Sequence, residues 1–421
     1  MRLLATSRKG SSCERGNQIA ARLPSLAREA YEVRGRIWLH EGTIHEHNSA
    51  VNSCVEELSM TLRSQLLDAL RFYYLHQYQA VVDSVSALDT GDAELSIALR
   101  ILQAKAHYCL CRKGAAYSLL ASLIRQYGYC EKTLTATSLL ARLFPTHPYS
   151  RNWVEWLVQF APEMSESHAA YITVLSYNNR KGEIEKHFRQ FYSNLNHYDK
   201  EYCSLIVSAS LAEHEQVRNR SKELLVSSAD PVDFTRAFFL FALSSYNLLN
   251  SKIDETVLAA ESLLNDLSPI SNIDRARAHL ALARLCSLYA ADVPKTIDNL
   301  KKAVESGLYE HPYVWWVLGM LCSARWRDVD TAILALERFL SLMSGSVRGV
   351  YDIFTESVHN VYEMYAHFSL AFCYINKFNM IKSAKNLLKS LSKLKAYAES
   401  DLDAEYSRYF RVRGFFDFEV P

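Results

Sequence analysis

Glycine is scarce in this chain, at 13 of 421 residues or about 3%, where about 7% is usual. With only nine prolines beside it, that leaves little material for tight β-hairpin turns or for glycine-rich loops that cradle phosphates. Net charge is nearly absent as well. Lys+Arg (47) and Asp+Glu (46) cancel to a formal +1, so no overall field favours nucleic acid or an anionic membrane as partner. No run of 18 or more apolar residues occurs, and no transmembrane helix is expected. The start, MRLLATSRKGSSCERG, lacks the apolar core of a secretory signal. Its basic, serine-containing composition is compatible with an organelle-targeting segment; a polar N-terminal lead is the plainer account.

The nine cysteines are odd in number and scattered. Cys286, Cys322 and Cys373 fall where a small residue packs between helices. That usage fits reduced, buried thiols better than a disulfide framework, and implies an intracellular protein, cytoplasmic or nuclear. Apolar residues make up 49% of the chain. A continuous core is therefore within reach, and wholesale disorder is excluded.

What the chain has in abundance is helical periodicity. Apolar residues recur at three- and four-residue spacing almost throughout, with no sustained alternation that would argue for strands. Residues 61–88 divide into two helices around His76-Gln77-Tyr78, and residues 95–127 around Cys111 to Gly114. Residues 133–160 break at Pro145 and Pro148, which must end a helix. Further pairs cover 167–195, 199–226, 235–264 and 363–394, turning at Asn178 to Gly182, near Asn250, and at Asn376 to Asn379.

Between His279 and Phe339 two such hairpins repeat in tandem. Leu282-Ala283 and Cys286 match Leu318-Gly319 and Cys322, and Thr296-Ile297 match Ala332-Ile333, at a spacing of 36 residues. That period belongs to two-helix solenoid repeats. The hairpins resemble the tetratricopeptide repeat. The fullest copy has Trp315, Leu318, Gly319 and Cys322, then Ala332, Leu336 and Phe339. Others offer Ala242, Leu243 and Tyr246, then Ala259 and Ser262; and Leu370, Ala371 and Tyr374, then Ser383 and Leu387. The resemblance covers roughly 61–394, and no single repeat carries the whole pattern. It implies an all-α, right-handed α-solenoid of about seven to nine antiparallel helical hairpins, binding partner peptides or helices along its groove. Divergent tetratricopeptide subunits of the anaphase-promoting complex are broadly similar in architecture.

Between the Trp315 and Tyr374 hairpins the spacing stretches to 52 residues, around SGSVRGVYDIFTESVHN. The expected organisation is a polar N-terminal segment with a leading helix (1–60), helical repeats (61–344), an interrupting loop or helix (345–362), and a last repeat with capping helix and aromatic tail (363–421).

Motifs for chemistry are weak. HEGTIHEH places His45 five residues after His40, not the four that a zinc-protease helix needs. A solvated polar turn explains His40, His45 and His47 better than a metal site does. Cys109 and Cys111 lack a second ligand pair at zinc spacing. Gly10 and Gly16 enclose no Lys-Ser/Thr for phosphate, and neither G-x-G-x-x-G nor G-x-S-x-G occurs. No catalytic residue, cofactor or metal is therefore expected.

Aromatic residues are plentiful, with 25 Tyr, 18 Phe and 6 Trp. Adjacent Trp315 and Trp316 point about 100° apart on a helix, so only one can face its own repeat core directly. Trp153, Trp156, Trp316, Arg325, Trp326 and Arg327 are candidate partner contacts, with basic side chains there suited to an acidic peptide; solvated surface charge is the alternative for the arginines. Residues 402–411 read as a capping helix. Beyond Gly414, Phe415, Phe416 and Phe418 alternate with acids in a stretch that docks on the array or into a partner. The expected function is a non-enzymatic scaffold or adaptor subunit whose partners are other proteins, with homo-oligomerisation compatible. A peptide-sensing regulator and an enzyme with an unrecognised site are the alternatives.

Overall fold

The computed structural model describes residues 60–86, 93–178, 180–226, 230–267, 270–323, 328–343, 348–351 and 356–398. They form an all-helical array of nine antiparallel hairpins. In chain order these are α1 (Met60–Tyr74) with α2 (Tyr78–Ser86), α3 (Ala93–Cys109) with α4 (Lys113–Tyr127), and α5 (Leu134–Leu143) with α6 (Ser150–Phe160). The next three are α7 (Ser165–Tyr177) with α8 (Lys181–Phe191), α9 (His197–Ser210) with α10 (His214–Val226), and α11 (Phe234–Leu248) with α12 (Ile253–Asp266). Then come α13 (Asn272–Leu288) with α14 (Val293–Ala303), and α15 (Pro312–Leu321) with α16 (Val329–Met343). A short α17 (Arg348–Tyr351) precedes the last pair, α18 (Glu356–Asn376) and α19 (Met380–Ala398). The architecture is an α-solenoid of antiparallel helical hairpins, and no strand occurs among the described residues.

The glycine shortage shows in how the hairpins turn. Five first helices end in a residue of left-handed backbone that is not glycine: His76, Cys111, Ala212, Asn250 and Phe378, with φ between 52° and 60°. At each one, the amide of that residue donates to the carbonyl three residues back, and the next amide to the carbonyl five residues back. Gln77 to Phe72 and Arg112 to His107 are examples, at 2.8 and 2.9 Å. This is the Schellman closure, normally built on glycine because a Cβ is disfavoured there. Helix starts carry side-chain caps: Asn196, Ser271 and Asp292 accept from the amides of Asp199, Asp274 and Lys295.

One glycine has a steric role. A Cβ on Gly319 would lie 2.6 Å from Leu336 Cγ and 3.1 Å from the Leu336 backbone nitrogen. Its absence is what lets α15 and α16 cross at this distance. Of the segment the sequence marks as an interruption, residues 356–362 form the first turns of α18. The Tyr351 ring of α17 packs edge-on against His311, 4.7 Å away.

Candidate interaction surfaces

The first helices of the hairpins meet one another across the array. Asp230, just before α11, accepts hydrogen bonds from Tyr73 of α1 (2.5 Å) and Lys105 of α3 (2.6 Å). Burial pushes this carboxyl upward, but Lys105 and the Tyr73 hydroxyl more than offset it and hold it below the usual range. On α13, Asp274 is fully buried. It accepts from His76 Nδ1 (2.6 Å), Tyr78 Oη (2.9 Å), Ser271 Oγ (2.6 Å) and Arg277 (2.7 Å). Desolvation alone would raise its pKa; the His76 hydrogen bond and the Arg277 charge bring it down to about 2. Arg277 is 2% exposed and also donates to the Pro231 carbonyl at 3.0 Å.

A third node lies on α5. The Arg142 guanidinium sits 2.6 Å from Asp233 and 3.4 Å from Asp199, and stacks over the Tyr202 ring at 4.3 Å. Arg236 reaches Tyr202 Oη and donates to the Arg142 carbonyl at 3.2 Å. The His311 Nε2 stands 3.2 Å from the Cys111 carbonyl, a contact that requires Nε2 to carry the proton.

Lys105, Arg142, Arg236 and Arg277 thus face Asp199, Asp230, Asp233 and Asp274. The cluster neutralises itself, and removing Arg142 or Arg277 would leave a buried carboxylate without its cation. Its chemistry is that of a clamp holding remote hairpins together.

None of these clamp residues stood out in the sequence. The available signal was Asp274 and Arg277 in NIDRARAHLALARL, an ion pair three residues apart in an otherwise apolar helix.

The exposed side of α6 carries the second feature. Trp153 is buried and stacks on the His147 ring at 4.7 Å, which stacks in turn on Tyr117 at 5.4 Å. Burial pushes His147 down to about 4. Neutral His147 accepts from the Tyr149 amide through Nδ1 at 3.2 Å. One helical turn on, Trp156 is half-buried between Phe160 (stacked, 5.1 Å) and Tyr129 (5.1 Å). Phe160 and Tyr129 are 54% and 51% exposed. The result is an exposed aromatic ridge of Tyr129, Trp156 and Phe160, beside a stack of buried Trp153 and His147 on partly buried Tyr117.

The other sequence candidates are placed differently. Trp316 is buried, donates to the Tyr362 carbonyl at 3.2 Å, and meets the Tyr362 ring edge-on at 4.6 Å. Trp315 is buried too and donates to the Tyr309 carbonyl at 2.6 Å. Both rings find cover because α15 is enclosed from Pro312 to Gly319, Trp316 packing on the following hairpin. Arg325, Trp326, Arg327, Phe415, Phe416 and Phe418 lie outside the described residues, as do His40, His45 and His47. Among the described residues no group of three His, Cys, Asp or Glu side chains could hold a metal ion. No described helix is long and apolar enough to cross a membrane.

No family profile matches the sequence, and no curated protein matches it. Among solved structures the chain is similar to a human IFIT1 dimer with PPP-AAAA, at 12% identity and a TM-score of 0.45, covering 90% of this chain and 93% of that one. It is similar in the same degree to a human IFIT1 dimer with m7Gppp-AAAA (12%, 0.45, 90% and 94%). The APC/C hetero-tetramer Cut9-Hcn1 matches at 13% identity and a TM-score of 0.33, covering 86% of this chain and 74% of that one. At these scores the likenesses carry no argument about ligand or partner.

Proposed function

We propose that this tetratricopeptide-like α-solenoid is a non-enzymatic interaction scaffold, a structural or adaptor subunit of a multi-protein complex. The observation that carries the reading is the aromatic ridge of Tyr129, Trp156 and Phe160. Trp156 stands between two largely exposed rings, Tyr129 and Phe160, while charged groups of the interior neutralise one another. Aromatic rings held rigid before binding give large contact area at little entropic cost, which is why such residues dominate protein interfaces. The flanking Arg151–Glu155 pair, 2.7 Å apart and exposed, supplies a polar rim.

The test is purification of the full-length protein from its native cells at mild salt, with sizing and mass spectrometry of the eluate. The reading expects an assembly of reproducible stoichiometry, larger than the 48.1 kDa chain. It expects that assembly to be lost from a Trp156→Ala/Phe160→Ala variant whose melting temperature is unchanged. A lone chain, or an assembly indifferent to both substitutions, contradicts it.

A further inference from the structure

The hairpin of α18 and α19 exposes two rows of apolar side chains at one spacing. On α18 they are Tyr365, Phe368, Phe372 and Ile375, 40–52% exposed, with Phe368 and Phe372 in ring contact at 4.9 Å. On α19 they are Ile381, Leu388 and Leu391, 60–72% exposed, with exposed Ala384 between them. Steps of three, four and three residues set each row along one line of its helix, which is the spacing with which helices seat against helices. Towards α18, by contrast, α19 turns polar groups. Asn386 accepts from His367 Nδ1 at 2.8 Å, Ser390 donates to the Met364 carbonyl at 3.1 Å, and Lys393 pairs with buried Glu363 at 2.5 Å. The leucines of α19 therefore do little to hold the hairpin together, and a contiguous exposed row of this kind has the chemistry of an interface.

The preceding hairpin shows what such a face receives. α15 and α16 are met by a helix, α18, through the Tyr362 ring on Trp316, Ser369 on Met320 and the Tyr374 hydroxyl on Glu337. Charge narrows the occupant further. α19 carries five lysines and no acid. Lys393 is engaged by Glu363, and Lys382 lies over the Tyr374 ring at 4.9 Å. Lys385 and Lys389 are exposed along the edge of the Ile381–Leu391 row, and no carboxylate among the described residues pairs with either. A second copy of α19 seated on this row would bring lysines to lysines, whereas acids there would be matched.

We propose that the exposed face of α18 and α19 docks an amphipathic helix of a partner protein, with an apolar stripe against Phe372, Leu388 and Leu391 and acidic residues along the edge that meets Lys385 and Lys389. The mode is a helix laid on an apolar face, with affinity from the leucines and selectivity from the lysines. This surface is separate from the Tyr129–Trp156–Phe160 ridge, so either can fail without the other.

Fluorescence anisotropy on the full-length protein, sized as monomer, tests this with two synthetic helical peptides. Both carry leucine at the stripe positions; one has glutamate and the other lysine along the edges. The glutamate peptide is expected to bind at least about fivefold more tightly at low salt, with the difference shrinking as salt rises. Lys385→Glu/Lys389→Glu should reverse that order, and Leu388→Asp should abolish binding of both peptides. Melting temperatures should be unchanged in each variant, since all three side chains are exposed. Trp156→Ala/Phe160→Ala should bind the glutamate peptide as the wild type does. In the assembly purified from native cells, zero-length cross-linking should join Lys385 or Lys389 to a carboxylate of another protein. Equal affinity for the two peptides, or failure of both to bind the monomer, overturns the proposal. So do cross-links confined to this chain or to a second copy of it, and binding to phosphatidylserine vesicles that is lost in Leu388→Asp while neither peptide binds.

Discussion

Replacing Gly319 by alanine adds one methyl group where α15 crosses α16. On helix propensity alone that change stabilises by up to about 1 kcal/mol. The structure predicts the opposite sign. The new Cβ would stand 2.6 and 2.7 Å from Leu336 Cγ and Cδ2, and 3.1 Å from the Leu336 amide nitrogen. Leu336 is fully buried and cannot swing into solvent, so α16 itself must move, and overpacking of this kind costs about 1–3 kcal/mol. The net expectation is a loss of about 1–2 kcal/mol. Leu336→Ala alone should cost about 2–5 kcal/mol through the cavity it leaves. Adding Gly319→Ala to it removes the clash and should restore part of that loss. Urea unfolding followed by tryptophan fluorescence suits the purpose, because Trp315 and Trp316 lie on the same turn-and-a-half of helix. A double-mutant cycle with a coupling of roughly 2–3 kcal/mol is expected. A stabilising Gly319→Ala in the native background would refute the close crossing.

The turns make a second prediction: Ala212→Gly should stabilise by several tenths of a kcal/mol. Relief of the left-handed alanine (φ 60°) is worth about 1 kcal/mol, partly offset by the greater freedom of glycine in the unfolded chain, and urea unfolding measures the balance. Acid should act in two stages. Burial pushes His107, His147 and His187 down to about 4, so the unfolded chain binds their protons first. Stability is then whole above about pH 6.5 and falls as pH drops towards 4, by about 1–3 kcal/mol for the well-buried His147. Asp274, held near 2, contributes stability that is present above about pH 4 and lost towards pH 2. His147→Phe should flatten the upper stage in thermal melts recorded across pH. Arg277→Ala should cost about 3–5 kcal/mol, because the buried Asp274 carboxylate loses its arginine and the Pro231 carbonyl loses that donor; a loss below 1 kcal/mol by chemical denaturation would show the pair to be solvated.

Hairpins and their turns were legible because periodicity and turn chemistry act over a few residues. The break at Pro145 and Pro148 separates α5 from α6, and the polar stretch near Asn250 separates α11 from α12. Scarce glycine correctly disfavoured β-hairpins, yet it concealed that His76, Cys111 and Phe378 would take left-handed turns themselves. The clamp was not legible for a different reason. His76 and Asp274 are 198 residues apart, and Tyr73 and Asp230 are 157 apart, so no local pattern couples them. Trp316 illustrates a third limit. The 100° offset from Trp315 is a true constraint on one helix, but Trp316 is covered by Tyr362 of the following hairpin while Trp315 packs on Tyr309 just before α15. Trp156, by contrast, is half-exposed in a ridge that Tyr129, from the connection between α4 and α5, completes.

Hairpins far apart in the sequence are joined directly across the array. Lys105 and Asp230 test it most directly, since they are 125 residues apart in sequence and 2.6 Å apart in space. Stabilities of Lys105→Ala, Asp230→Asn and the double variant should yield a coupling energy of about 0.5–3 kcal/mol. Additive losses, with no coupling, would mean an open superhelix in which these two residues never meet.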